Sequence, residues 1–239
     1  MEEALAEIEE GAKIAIGGFF SAGVPRGLLR ALIEKGTRGL TLCCGAGPML
    51  GAIDELDALV QNGQIKKMID SYGLYRSASK GGQHPFEQKV RSGEIEYEVY
   101  PLGTLSEKYR MAGAGISASY IPVGVGSMVE ESVLNNIEES RREREVRVID
   151  GKTCILEYAL KPDFAFIHAN TSDPEGNLRY RKTARNFNHV MATAAYVTIA
   201  EVENIVAVGD LEPDTVHTPG IFVQKVVKAP EIEFEIVSV

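Results

Sequence analysis

Short apolar runs alternate along this chain with segments whose apolar positions recur at helical spacing. Ala4, Leu5 and Ile8 mark a first short helix, and the run Ile14, Ala15, Ile16 makes Lys13–Ile16 a buried strand. Leu28, Leu29, Leu32 and Ile33 then fall on one helical face, so a helix is expected from about Pro25 to Lys35, with Gly36 stopping it. Leu40–Cys43 reads as a second buried strand, ending in Gly45-Ala46-Gly47, and Ala52, Ile53, Leu56, Leu59 and Val60 make an amphipathic helix before a strand at Met68–Tyr72. Strands alternating with helices imply an α/β fold, an open and largely parallel sheet with helices on both faces. Ligands of such sheets lie at the carboxyl ends of the strands, where both glycine-rich turns fall and could flank one crevice.

The middle of the chain is less regular. Gly73–Gln83 is polar and contains glycine, and reads as an exposed loop. Pro85–Arg91 reads as a short helix, Glu96–Tyr100 as a half-buried strand and Leu105–Ala112 as a helix. Gly113–Gly126 carries four glycines and a proline, and irregular backbone near a site is expected there. The mixed charge run Glu138–Arg147 reads as a solvated surface segment. Pattern returns with strands at Thr153–Glu157 and Phe164–His168, a turn at Asp173–Asn177, a helix at Phe187–Ala195 and a strand at Tyr196–Ala200. A turn-rich loop over Asp214–Gly220 precedes a final strand at Ile221–Val226.

Composition narrows the function. The 239 residues are 44% hydrophobic and 25% charged, with neither linker nor internal repeat, so one domain over 1–239 is expected. A net charge of −9 argues against a nucleic-acid protein. No apolar run is long enough for a membrane span, and the acidic, amphipathic start MEEALAEIEE lacks the features of a signal peptide. Cys43, Cys44 and Cys154 show no metal-ligand spacing and read as reduced cytoplasmic thiols, with Cys44 a small residue at a strand end rather than a nucleophile. His84, His168, His189 and His217 are scattered, none pairing at ligand spacing. No metal is expected.

The richest stretch is Lys13–Pro25, KIAIGGFFSAGVP. A strand running through a glycine turn into a helix start can hold an anion, because backbone N–H groups point outward and the helix N-terminus adds partial positive charge. Gly17 and Gly18 permit positive φ and close approach of a ligand. Pro25 suits the first helical position. The spacing matches neither a dinucleotide fold nor a Walker loop. A glycine turn alone is equally a corner without a ligand, but Phe19 within it must either pack or cover something.

This stretch resembles the coenzyme A signature of the family I CoA-transferases of the 3-oxoacid type, in the subunit called alpha. Four further segments are similar in the same order: GTLSEKYRMAGAGI at 103–116, GNLRYRKTARNFNHVMATAA at 176–195, VTIAEVENIV at 197–206 and LEPDTVHTPGIFV at 211–223. The resemblance implies an open α/β fold related to ribose-5-phosphate isomerase. It makes Gly17, Gly18, Phe19, Phe20, Ser21, Ala22 and Gly23 the CoA-binding stretch, with CoA a substrate rather than a tightly bound cofactor. It implies ping-pong transfer of CoA from an acyl-CoA to a carboxylic acid through a glutamyl-CoA thioester.

In the family the nucleophilic glutamate stands in the beta half, before Asn-Gly. No Glu-Asn-Gly occurs in this chain, and Glu175-Gly176-Asn177 has another order. The resemblance therefore implies a beta subunit, usually in an α2β2 heterotetramer, and no catalytic residue in this chain. Two departures touch the acyl region. Leu42-Cys43-Cys44-Gly45-Ala46-Gly47 stands where the family often has Ser-Asn-Asn-Ala-Gly, and Leu102 stands where it commonly has a glutamine associated with the oxyanion pocket. Two other functions compete: a CoA-thioester hydrolase or lyase on the same scaffold, and a sugar-phosphate-binding domain. Arg185, Asn186 and Asn188 either line the crevice, meet the partner or hold the loop.

Overall fold

A computed structural model describes residues 1–45, 54–72, 85–131, 135–138, 141 and 143–231. The segments 46–53 and 73–84, which include His84, Ala46, Gly47 and the loop expected at Gly73–Gln83, lie outside the described residues.

The chain runs β1 (Lys13–Ile16), α1 (Arg26–Lys35), β2 (Leu40–Cys43), α2 (Asp54–Gln61), β3 (Ile65–Asp70), α3 (Pro85–Arg91), β4 (Glu96–Val99), α4 (Leu102–Gly113), β5 (Ala118–Ile121), β6 (Val146–Ile149) and β7 (Lys152–Tyr158). It continues through β8 (Phe164–Ser172), β9 (Leu178–Arg179), α5 (Asn188–Ala194), β10 (Val197–Ile205) and β11 (Lys225–Lys228). Among the described residues the main sheet has the order β11-β10-β8-β1-β2-β3-β4, all parallel, with β9 antiparallel on β8. A smaller antiparallel sheet has the order β5-β7-β6.

The sheet is buried on both faces because successive side chains alternate between them. Ile14 and Ile16 of β1, Phe164 and Phe166 of β8 and Ile199 of β10 pack under α1 and α2. Ala15, Ala165, Ile167, Ala169, Ala200 and Val202 face the opposite layer, with Tyr109 and Met191 of α4 and α5. Alanines on that face let the second helical layer approach closely. The neighbouring strands β1 and β8 pair at the centre of the sheet, and the first glycine turn emerges there, at the carboxyl end of β1.

Four expectations need correction. β3 starts at Ile65, not Met68, because Lys67 is neutralised in place by Glu96 at 2.8 Å and Glu98 at 2.7 Å, so a charge does not end the strand. The stretch expected to be irregular holds the strand Ala118–Ile121. The charge run expected to be solvated is exposed at Glu138, Arg141, Glu143, Glu145 and Arg147, but it sends Arg144 inward to Glu157 at 2.6 Å and ends in β6. The last strand starts at Lys225 rather than Ile221. Gly220–Phe222 is a 3-10 turn instead, pinned by the Gly220 N–H donating to Asn177 Oδ1 at 2.9 Å, and Ile221 is 80% exposed.

Candidate functional site

β1 leads straight into the glycine turn. The Gly17 N–H donates to Phe166 O at 2.8 Å, so the ladder to β8 outlasts the strand by one residue. Phe19 and Ala22 then exchange both backbone hydrogen bonds, each 3.0 Å, which folds Phe20 and Ser21 into the tip of a tight reversal. Gly18 and Gly23 take positive φ, +117° and +70°, whereas Gly17 does not. Phe20 is left-handed as well, at φ 54°, a conformation that costs a bulky residue about 1–3 kcal/mol and persists only where flanking contacts impose it. Phe19 is 37% exposed, its ring edge-on to that of Phe20 at 4.7 Å, so it neither enters the core nor lies free.

The flanking contacts come from far along the chain. Asn188, the first residue of α5, is fully buried and uses its whole amide. Its Nδ2 donates to Gly23 O at 2.9 Å and Ala184 O at 2.7 Å, and its Oδ1 accepts the His168 N–H at 2.9 Å. One side chain thus ties the turn, β8 and the segment before α5 together. Asn186 adds Nδ2 to Ala22 O at 3.1 Å. Of the three readings of Asn186 and Asn188, holding the loop is the one seen. Gly17 is glycine for steric reasons, since a Cβ there would lie 1.9 Å from Asn188 Oδ1. Among the described residues, no acceptor is found for the N–H groups of Gly18, Phe20, Ser21 and Gly23. Of these, Ser21 lies exposed at the tip of the turn, Phe20 and Gly23 are half-buried and Gly18 is buried.

The helix beyond the turn is different from its sequence reading. The start of α1 is not an open anion site, because Glu201 of β10 already fills it. Its Oε2 accepts the Leu28 N–H at 2.8 Å. Burial pushes that carboxyl up to about 7, against the pull of the Leu28 and Gly27 N–H groups. The cations of α1 are also engaged. Arg26 and Arg30 pair with the buried Glu55 at 2.9 and 2.8 Å. Burial drives Glu55 up, and the two guanidinium hydrogen bonds outweigh it and leave the carboxyl below its ordinary value. Among the described residues, positive charge without an ion-pair partner lies instead on the exposed Arg181, Lys182 and Arg185, on the segment whose Ala184 touches the turn.

Cys43 and Cys44 are fully buried at the end of β2. Burial pushes the Cys43 thiol up to about 12 and Cys44 well above its ordinary value, so neither supplies a thiolate near neutrality. Leu102 stands at the start of α4, 41% exposed, where its side chain offers no hydrogen bond. His217 is structural. Its Nδ1 accepts the Tyr180 N–H at 3.0 Å and its ring stacks on Tyr180. His168 has a buried Nδ1 with no partner among the described residues, and its Nε2 lies 3.6 Å from Glu203.

Comparison with known proteins bears on the family of the chain. The model of the family described as Coenzyme A transferase matches residues 1–229. One subunit of a probable succinyl-CoA:3-ketoacid coenzyme A transferase of Mycobacterium tuberculosis is 38% identical over 235 residues, covering 95% of this chain and 91% of the relative. One subunit of the 3-oxoadipate CoA-transferase of Acinetobacter baylyi is 41% identical over 232 residues, covering 95% and 92%. Among solved structures, an acyl-CoA transferase of E. coli O157:H7 in a thioester complex with CoA superposes with TM-score 0.80 at 22% identity. That match covers 97% of this chain but 47% of the other, so this chain spans about half of that one. Glutaconate coenzyme A-transferase of Acidaminococcus fermentans gives TM-score 0.77 at 22% identity, covering 96% and 74%. With the family model spanning all but the last ten residues, and relatives near 40% identical along nearly their whole length, this chain belongs to the coenzyme A transferase family.

Proposed function

We propose that this chain is the alpha subunit of a heteromeric CoA-transferase, a single cytoplasmic domain that works only with a beta subunit in an α2β2 assembly. It moves CoA between a short acyl-CoA or 3-oxoacyl-CoA and a carboxylic acid. The observation that carries the reading is the family match over residues 1–229, together with relatives that are themselves single subunits of such transferases. Gly17, Gly18, Phe19, Phe20, Ser21, Ala22 and Gly23 form the CoA-binding stretch. The amides of that turn that lack an acceptor among the described residues support this assignment, and Arg181, Lys182 and Arg185 on the adjoining segment supply the cations that a phosphate-bearing ligand needs in a chain of net charge −9.

The covalent step belongs to the partner. A beta-subunit glutamate carboxylate attacks the thioester carbonyl, the C–S bond breaks, and an acyl-glutamyl anhydride and CoA thiolate form. The thiolate then attacks the glutamyl carbonyl, releasing the first carboxylate and leaving a glutamyl-CoA thioester. The second acid reverses both steps. This chain binds and orients, and binding energy collected at the nucleotide end is available at the thioester. The Leu102 position leaves backbone N–H groups as the donors this chain can offer a developing oxyanion there.

The test is co-expression with a beta subunit, incubation with acetoacetyl-CoA and borohydride, and mass spectrometry of both chains. Reduction marking a glutamate of the partner and none on this chain is the expected result. A marked glutamate on this chain, or CoA transfer by this chain alone, refutes the division of labour. Turnover without any carboxylate acceptor turns the assignment to the hydrolase or lyase reading.

A further inference from the structure

Glu201 has no part in the transfer chemistry, yet it is 2% exposed and touches the helix that the CoA turn runs into. Its side chain leaves β10 on the same face as Ile199, under α1. It accepts the Leu28 N–H at 2.8 Å, and the Gly27 N–H favours its charged form, in the first turn of α1, where the N–H groups of Arg26, Gly27 and Leu28 lack helical partners. That turn is pressed onto it. A Cβ on Gly27 would stand 2.7 Å from Glu201 Oε2 and 2.5 Å from Pro230 Cδ. Only Val24, Pro25 and Arg26 separate this contact from Gly23.

We propose that Glu201 is a positioning residue for the CoA turn: its buried carboxyl, held on the N–H groups of the first turn of α1, fixes the end of the turn at which that helix begins. Asn188 of α5 holds Gly23 O just before that end, so the turn's approach to α1 is held by two side chains from distant parts of the chain. The inference rests on the reading of Gly17–Gly23 as the CoA stretch. The charged groups around Glu201 are Arg30 of α1, Glu55 of α2 and His168, its register partner on β8, whereas its register partner on β11 is the uncharged Val227.

Protonation sets how firmly the hold persists. The carboxyl titrates near 7 when buried, against an ordinary value of 4.5 in water. Any opening that hydrates Glu201 therefore releases a proton at intermediate pH. The hold is strongest below the ordinary value, weakens as pH rises and levels off above about 7. If opening hydrates the carboxyl fully, the open fraction grows about tenfold per pH unit over that window.

The experiment compares wild type with Glu201→Gln, each in complex with the beta subunit, by hydrogen exchange of residues 17–29 and by affinity for CoA, from about pH 5 to 8. Exchange is corrected for its intrinsic pH dependence. The phosphates of CoA titrate identically in both measurements, so the ratio of affinities carries the result. Protection and relative affinity that fall with pH in wild type and stay level in Glu201→Gln are expected. Parallel profiles overturn the inference. Profiles that differ in exchange while neither protein binds CoA overturn the CoA reading, and this inference with it. Glu201→Asp guards against a folding defect. Its shorter arm keeps the slope but lowers protection at every pH, and a level equal to wild type overturns the inference.

Discussion

The tightest steric relation around the turn is that between Gly17 and Asn188, and it yields a prediction about coupling rather than about either residue alone. A Cβ on residue 17 would stand 1.9 Å from Asn188 Oδ1, about 1 Å inside the closest approach real Cβ atoms show. Neither atom can yield cheaply, since residue 17 is fixed by its hydrogen bond to Phe166 and Asn188 by three of its own. Gly17→Ala therefore expels the amide. Asn188→Ala loses the same three hydrogen bonds at about 1 kcal/mol each and leaves the buried His168 N–H without an acceptor, a further ~1–2 kcal/mol. Each single substitution is expected to cost about 3–5 kcal/mol. In the double substitution the clash and the amide vanish together, so the cost stays near that of one substitution instead of doubling. The coupling energy is then about 3–5 kcal/mol, at or above the top of the range for contacting residues. Urea unfolding of the four proteins measures it. Additive costs, within about 0.5 kcal/mol, refute the account of why Gly17 is glycine.

Two further outcomes follow from buried charge and buried sulfur. Glu157 binds Lys108 at 2.9 Å and Arg144 at 2.6 Å while almost wholly buried, so Glu157→Gln strands two cations and is expected to lose about 3–5 kcal/mol, read as a lower urea midpoint. The native protein is expected to leave Cys43 and Cys44 unmodified by iodoacetamide at pH ~8 over the time in which the urea-unfolded chain is fully alkylated. Labelling of either in the native state, located by peptide mass spectrometry, contradicts their burial.

Local signals were legible wherever a segment answers to its own neighbours. Lys13–Ile16, Leu40–Cys43 and Pro85–Arg91 fall where the apolar pattern puts them, because each is bounded by its own glycine, proline or polar residues. The pattern misled where a charge is neutralised from elsewhere. Lys67 continues a strand because β4 brings Glu96 and Glu98 beside it, and Arg144 leaves the solvent because Glu157 and the Tyr100 ring receive it. A charge run is read as solvated on the assumption that no partner waits in the core, and the partner of Arg144 lies across a hairpin that its own sequence does not announce.

The site divides along the same line. The turn itself could be read, since glycines followed by a proline and a helical pattern are contiguous letters. What holds the turn could not. Asn188 is 165 residues from Gly23, and Glu201 is 173 from Leu28. Both lie in segments that match the family, but resemblance marks a segment without saying which residue reaches where. The consequence is sharpest at the start of α1. Read locally, a glycine turn before a helix is a place for a ligand's anion. In the folded chain the dipole is met by Glu201 and the arginines by Glu55, so the helix start is internally neutral. On the proposed reading of the turn, a ligand is offered its amides that lack an acceptor among the described residues and the cations of the Arg181–Arg185 segment. On that proposed reading, an acidic chain holds a phosphate-bearing substrate because Glu55 and Glu201 are engaged on α1, the helix the turn runs into, while the cations of the Arg181–Arg185 segment lie next to Ala184, which touches the turn.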